Sequence, residues 1–118
     1  MSRDKGNQYE NLALDYLQQQ GLQLVARNFH AGRGEIDLIM QDKKTLSFIE
    51  VRYRKADDYG SAAESVDYRK QQHLILSAQT FLQQNRQYTD WPCRFDVLAI
   101  SGSSATPIDW IRNAFELA

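Results

Sequence analysis

Apolar and polar positions alternate along this chain with two different periods, one helical and one extended. Helical spacing of apolar residues predicts a first helix over Asn7–Gln20 and a second from Glu64 or Asp67 to Gln84. Asn7 suits a helix N-cap, and Gly21 suits the stop after the first helix. The apolar stripe of the first helix consists of Tyr9, Leu12, Ala13, Tyr16 and Leu17. That of the second consists of Leu74, Ala78, Phe81 and Leu82.

Four further segments read as strands because β-forming residues are bounded by turn residues. They are Leu22–Phe29, Glu35–Met40, Leu46–Arg54 and Arg94–Ile100. The last segment is open between a strand around Ile108–Trp110 and a closing helix from Thr106-Pro107. The predicted order is α-β-β-β-α-β followed by a strand or a helix. We therefore expect one α/β domain over residues 1–118, with a mixed β-sheet flanked by helices.

The second and third strands carry acidic residues inside otherwise apolar runs. A two-residue hairpin loop at Lys43-Lys44 would place Asp37 opposite Glu50. The same register would place Glu35 opposite Arg52. Directly opposed residues point to the same face of a sheet, so these four side chains are expected to share one face.

The other face of this strand pair supports the same register. There Ile36 would meet Val51, and Leu38 would meet Ile49, which closes an apolar layer. A slip by one residue would set Asp37 against an isoleucine and spoil both faces.

Two neighbouring carboxylates repel each other unless a cation compensates them. Hard carboxylate oxygens suit Mg²⁺ or Mn²⁺, and Arg52 on the same face would reach a phosphate oxygen. Asp37 and Glu50 holding such an ion beside Arg52 would form a minimal apparatus for hydrolysing a phosphodiester. The alternative is a solvated face of ordinary ion pairs, although Asp is disfavoured within strands.

Composition limits the partners of the chain. Fourteen Lys and Arg against 15 Asp and Glu give a net charge of −1, whereas proteins that hold nucleic acid by charge alone are usually basic. The bases nevertheless cluster where the third strand ends and the second helix begins, which predicts a local positive lip. Its members are Arg52, Arg54, Lys55, Arg69 and Lys70.

Other features exclude several classes of protein. No apolar run approaches the roughly 20 residues of a membrane span. The single cysteine, Cys93, excludes an internal disulfide framework and a cysteine-based zinc site. The polar N-terminal residues lack the apolar stretch of a secretory signal. We therefore expect a cytoplasmic protein with no membrane partner.

The motif Gly34-Glu35-Ile36-Asp37-Leu38-Ile39, followed by Phe48-Ile49-Glu50-Val51-Arg52-Tyr53-Arg54, resembles the core of the PD-(D/E)xK nucleases. More closely, the chain resembles the small bacterial YraN family, whose members are similar to archaeal Holliday junction resolvases. The resemblance covers almost the whole chain. Its remaining parts are the first helix with Glu10, the Asn28 region, Lys70 and Arg94-Phe95-Asp96-Val97. Asp96 interrupts an apolar strand, and we expect it to have a structural role as a hydrogen-bond acceptor.

The resemblance implies a restriction-endonuclease-like fold, DNA as the partner and Mg²⁺ or Mn²⁺ as the cofactor. Asp37 and Glu50 match the metal-binding acids, and Glu10 resembles a first-helix glutamate that joins the metal site. Arg52 stands where the family pattern usually has lysine; unlike lysine, arginine cannot release its proton to act as a base. Lys70 is in helical phase with the apolar stripe of the second helix, so its side chain is expected to run toward the sheet and to hold a substrate phosphate; the alternative is that it extends into solvent. Resolution of a two-fold symmetric junction also implies a homodimer.

Three functional hypotheses follow. The first is a metal-dependent endonuclease acting on branched DNA. The second is a noncatalytic nucleic-acid-binding module of the same fold, which Arg52 favours. The third is a protein-interaction adaptor whose acidic face is plain surface. Glu35 is a supporting residue, either contacting metal through water or pinned by Arg52.

Overall fold

The computed structural model describes residues 2–54, 65–101 and 107–116, with side chains from residue 7 onward. Its elements are the helix α1 (Ser2–Gln19), the strands β1 (Gln23–Ala31), β2 (Gly34–Asp42) and β3 (Thr45–Arg54), the helix α2 (Tyr68–Gln84), a short 3₁₀ helix (Arg86–Tyr88), and the strands β4 (Cys93–Ser101) and β5 (Ile108–Phe115). Lys55 of the predicted lip lies outside the described residues.

The five strands form one sheet in the order β1-β2-β3-β4-β5. Neighbouring strands are antiparallel except β3 and β4, which run parallel because α2 carries the chain back across the sheet. The predicted mixed α/β sheet flanked by helices is confirmed. The closing helix was the wrong alternative, since Ile108–Phe115 is a strand that pairs with β4. No helix in the described ranges is long and apolar enough to cross a membrane.

The helix boundaries differ at one end from those predicted. α1 begins at Ser2, so Asn7 lies within the helix and does not cap it. Gly21 ends the helix as expected, with a positive φ of 98° that glycine adopts without steric cost. The Asp67 side chain accepts a hydrogen bond from the Lys70 N–H at 2.8 Å, which identifies Asp67 as the N-cap of α2.

The two helices cover opposite faces of the sheet. Ala13 and Leu17 of α1 pack against one face, while Leu74, Ala78 and Phe81 of α2 pack against the other. Strand β3 lies in the middle and is buried continuously from residue 46 to residue 50. Any charged residue in that stretch therefore needs a partner.

The β2–β3 hairpin has the predicted register. A two-residue turn contains Lys43 at a φ of 57°, and the ladder runs from Asp42 opposite Thr45 to Leu38 opposite Ile49.

Asp96 ties three strands together from the centre of β4. Its carboxylate, 1% exposed, accepts hydrogen bonds from Ser47 Oγ at 2.8 Å, Arg94 Nε at 3.0 Å, Trp110 Nε1 at 3.0 Å and the Asn113 N–H at 2.9 Å. These donors satisfy a buried charge that would otherwise be costly. The structural role expected for Asp96 is confirmed.

We expect Asp96→Asn to lower the free energy of unfolding by about 3 kcal/mol. The amide removes the charge that four donors surround and turns a donor toward them. Urea denaturation would measure the change. Asp109→Asn, the same substitution at an exposed position of β5, is the matched control. Equal effects of the two variants would contradict the role of Asp96.

Candidate metal centre

The hydrogen-bonded ladder between β2 and β3 stops at Asp37. Continued in register, it would set Ile36 opposite Val51, but Leu38 opposite Ile49 is its last pair. The Val51 N–H donates instead to Asp37 Oδ2 at 2.8 Å. A side-chain carboxylate thus takes the place of a backbone acceptor, and the two strands part at this point.

The direction of the side chains along β2 changes at the same place. Ile36 packs in the core under α2, whereas Leu38, two residues on, packs in the core under α1. On β1, Asn28 lies between the partners of these two residues and has a left-handed φ of 51°. The predicted contact of Ile36 with Val51 is therefore wrong, because the regular alternation does not continue past Asp37.

Glu50, on β3, lies beside Asp37 of β2 and is 5% exposed. Its Oε2 is 3.5 Å from Lys70 Nζ and 3.7 Å from Arg52 Nε. Its Oε1 is buried and has no hydrogen-bond partner among the described residues. The two cations therefore compensate the charge on the Oε2 side of this carboxylate, whereas Oε1 could accept a further hydrogen bond or bind a cation.

Lys70 reaches the acids because it shares a helix face with the core residues of α2. Leu74 and Ala78 follow it at four-residue spacing and are buried against the sheet. The side chain of Lys70 runs along this face to Glu50 and remains 38% exposed at its end. The predicted direction of Lys70 toward the sheet is confirmed.

Arg52 and Glu35 do not meet as the register predicted. Arg52 donates from Nη2 to the Ser65 carbonyl at 2.7 Å and lies against Glu50. Glu35 accepts a hydrogen bond from Asn28 Nδ2 at 3.0 Å, so it is not pinned by Arg52. The ladder that would have opposed the two residues ends before it reaches them.

Asn28 links the first helix to this part of the sheet. Its Nδ2 donates to Glu10 Oε1 and to Glu35 Oε2, both at 3.0 Å. Arg27 Nη2 lies 3.6 Å from the same Glu10 oxygen. Sequence reasoning did not assign Asn28 this bridging role; an asparagine in the middle of a strand, where it is disfavoured, was the available signal.

The two central acids hold protons more tightly than free carboxyl groups do. Burial, with repulsion from Glu50 and more weakly from Glu10 and Glu35, raises the pKa of Asp37 to about 8, despite the lowering effect of the Val51 N–H. Burial also raises the pKa of Glu50, although Lys70, Arg52 and a hydrogen bond with the Asp37 side chain counteract it. The folded chain alone therefore does not hold both groups fully ionised at neutral pH.

The residues present fit a divalent cation. Two carboxylates in contact, one with a buried unpartnered oxygen, supply the hard ligands that Mg²⁺ and Mn²⁺ prefer. Asp37 and Glu50 are the two candidate ligands that the structure brings together. Within residues 7–54, 65–101 and 107–116, no three His, Cys, Asp or Glu side chains are grouped closely enough to hold a metal ion. Glu10, predicted as a third ligand, is held by Asn28 and Arg27 outside such a group.

The rest of the predicted lip is only partly described. Arg54 follows Arg52 by two residues on β3 and is half-buried. Arg69 is exposed in the first turn of α2, next to Lys70. The cations that the structure brings to the carboxylate pair itself are thus Lys70 and Arg52.

Comparison with known proteins identifies close relatives. The model of a family described as "Uncharacterised protein family UPF0102" matches residues 9–100. A UPF0102 protein of Pseudomonas syringae pv. tomato is 50% identical over 117 residues, covering 94% of this chain and 91% of the relative. A UPF0102 protein of Pseudomonas aeruginosa (strain LESB58) is 49% identical over 118 residues, covering 98% of this chain and 94% of the relative.

In the absence of metal, we expect the free energy of unfolding to fall as the pH rises from about 4 to about 8, by up to about 1.4 kcal/mol per pH unit. Over this range the folded protein keeps a proton on Asp37 that the unfolded chain has lost, so rising pH favours unfolding. Above the folded pKa this contribution levels off. Asp37→Asn should make the slope shallower, leaving the smaller contribution of Glu50, as measured by urea denaturation in EDTA at several pH values.

The comparison of wild type with Asp37→Asn cancels the titration of groups distant from the pair and leaves the contribution of Asp37 together with its coupling to Glu50. Asp15→Asn, at an exposed position of α1, is the matched control and should follow the wild-type curve. Millimolar Mg²⁺ should raise the stability of the wild type at the upper end of the range more than that of Asp37→Asn. Parallel pH curves for wild type and Asp37→Asn would contradict the assigned proton.

Proposed function

The chain belongs to the UPF0102 family, the YraN family that its motifs resemble, and on that premise we propose that it is a divalent-cation-dependent endonuclease acting on DNA. One observation carries the proposal: the half-buried Asp37 and the buried Glu50 lie together beside Lys70 and Arg52, and Glu50 Oε1 accepts no hydrogen bond from the described residues. Acids that lack a full set of partners, next to cations, suit a site for a metal and a phosphate.

Asp37 and Glu50 would hold the cation. When bound, Mg²⁺ or Mn²⁺ polarises a phosphoryl oxygen and lowers the pKa of water. The Val51 N–H fixes the orientation of Asp37 by its hydrogen bond to Oδ2, so that the other oxygen, Oδ1, remains to bind. Glu50 is oriented by Lys70 and Arg52 on its Oε2 side, with Oε1 left for a ligand.

The two cations have different tasks in this proposal. Arg52 carries a guanidinium, which does not act as a base, and its hydrogen bond to the Ser65 carbonyl fixes it in place, so it stabilises negative charge on the phosphate. Lys70 approaches the same carboxylate from α2, so its ammonium group would bind the substrate phosphate. We therefore assign phosphate binding to Lys70 and stabilisation of the developing charge to Arg52.

The fold is consistent with this assignment. The order α-β-β-β-α-β-β, with the acids on two neighbouring central strands, is the arrangement expected of a restriction-endonuclease-like domain. We include that fold, and a homodimer acting on a branched junction, in the proposal. The net charge of −1 limits indiscriminate binding, so affinity would depend on the local cations and on the metal.

A noncatalytic nucleic-acid-binding module is the second candidate. Arg52 favours it, because its guanidinium is already engaged by Ser65 and Glu50 and cannot serve as a base. Such a module would bind DNA in a salt-sensitive manner without cleaving it.

We expect Asp37→Asn and Glu50→Gln each to reduce Mg²⁺-dependent or Mn²⁺-dependent cleavage of branched and flapped DNA by at least about 100-fold. Each variant removes a charged ligand with little change of volume. Gel analysis of end-labelled substrates would measure the rates, and thermal melting would confirm folding. Asp109→Asn, on exposed β5, should cleave like the wild type. Undiminished cleavage by both site variants would reject the assigned site.

Arg52→Lys and Lys70→Met separate the two candidate functions. If the protein cleaves DNA and Lys70 binds the substrate phosphate, Lys70→Met should lower the cleavage rate by at least about 100-fold, while Arg52→Lys, which keeps a cation, should change it less than about tenfold. A wild type that binds DNA without cleaving it, together with an Arg52→Lys variant that cleaves, would establish the noncatalytic module.

A further inference from the structure

Two tyrosine rings stack at the end of the sheet that carries the carboxylate pair, on the face of β3 opposite Glu50 and Lys70. The rings of Tyr9 on α1 and Tyr53 on β3 lie 4.6 Å apart between centroids and are inclined by 17°. Tyr9 precedes Glu10 in the chain, and Tyr53 follows Arg52. The stack therefore belongs to the same end of the sheet as the carboxylates.

Only one ring of the stack packs against the hydrophobic core. Tyr9 packs against the core under α1, but Tyr53 remains 45% exposed although one face of its ring lies on Tyr9. A planar ring held parallel to another and still open to solvent offers a surface for a third flat ring. Holding α1 on β3 would not by itself require this exposed surface.

The neighbours of Tyr53 specify the chemistry of that third ring. Successive residues of a strand point to opposite faces, so Arg52 and Arg54 flank Tyr53 on the face toward α2, where Lys70 also lies. One strand end thus presents an aromatic face on one side and cations on the other. A nucleotide has this pair of features, a flat base and an anionic phosphate.

We propose that the Tyr9–Tyr53 stack is a platform for one unpaired base, so that the carboxylate pair acts on nucleic acid with a single-stranded portion next to the bound phosphate. The inference rests on the proposed function and narrows its substrate. Bases in a duplex are covered on both faces by their neighbours, so only a base outside the helix can lie on Tyr53. Stacking on the ring requires no particular base, and the platform would be tolerant of sequence.

The test measures binding separately from cleavage. Fluorescence anisotropy in EDTA gives the affinity of the protein for three oligonucleotides: a single strand, a blunt duplex, and a duplex with an unpaired tail. We expect Tyr53→Leu to weaken binding of the single strand and the tailed duplex by about tenfold. Binding of the blunt duplex should change less than about twofold. Tyr53→Phe, which keeps the ring, should behave like the wild type.

Tyr68→Leu is the matched control. Tyr68 is 74% exposed at the start of α2, and it points about 200° around the helix from Lys70, away from the sheet. This variant should bind all three oligonucleotides as the wild type does. Thermal melting of Tyr53→Leu and Tyr53→Phe detects any loosening of α1.

A 2-aminopurine placed in the unpaired tail gives a readout that a purely structural role of the tyrosines would not change. Its fluorescence should be quenched on binding to wild type and Tyr53→Phe but not on saturation with Tyr53→Leu. Quenching retained by Tyr53→Leu, or an equal loss of affinity for tailed and blunt duplexes, would overturn the platform. If those results accompany cleavage that still depends on Asp37 and Glu50, the proposed function stands without it. A wild type that binds none of the three oligonucleotides would overturn the platform, and if it also cleaves no branched or flapped DNA with Mg²⁺ or Mn²⁺, the proposed function falls with it.

Discussion

The hydrogen bond from the Val51 N–H to the Asp37 carboxylate is the interaction on which the candidate site depends. It ends the β2–β3 ladder directly after the pair of Leu38 and Ile49, and it keeps Asp37 in the sheet, next to Glu50. Beyond this point Ile36 turns into the core under α2, and Asn28 adopts a left-handed conformation. One backbone donor that bonds to a side chain in place of a backbone carbonyl thus accompanies the separation of β2 from β3.

Two buried acids on neighbouring strands show how differently the fold treats a carboxylate. Asp96, like Asp37, accepts a hydrogen bond from a backbone N–H where a strand ladder is irregular, and three side-chain donors complete its surroundings. Glu50 lies against a second acid, and its Oε1 has no hydrogen-bond partner among the described residues. The first arrangement stabilises the sheet, whereas the second raises pKa values and costs stability unless a cation is bound.

The charges of the chain balance overall and separate locally. A net charge of −1 describes the whole molecule, yet Lys70 from α2 and Arg52 from β3 both approach one glutamate. Two helices on opposite faces contribute to this end of the sheet, α2 with a cation and α1 with an aromatic ring stacked on β3. A site of this kind selects its ligand by position and shape more than by total charge.

The sequence by itself determined the elements as far as β4, the hairpin register and the helical phase that brings Lys70 to the sheet. These follow from local periods and from the Lys43-Lys44 turn, which act over a few residues. Only the tertiary structure decided where the ladder ends, and therefore that Glu35 turns to Asn28 while Arg52 turns to Ser65. Alternation of apolar and polar residues predicts the face that each residue occupies within the paired part of two strands. It does not predict the position at which a side chain replaces the next backbone acceptor and the pairing ends.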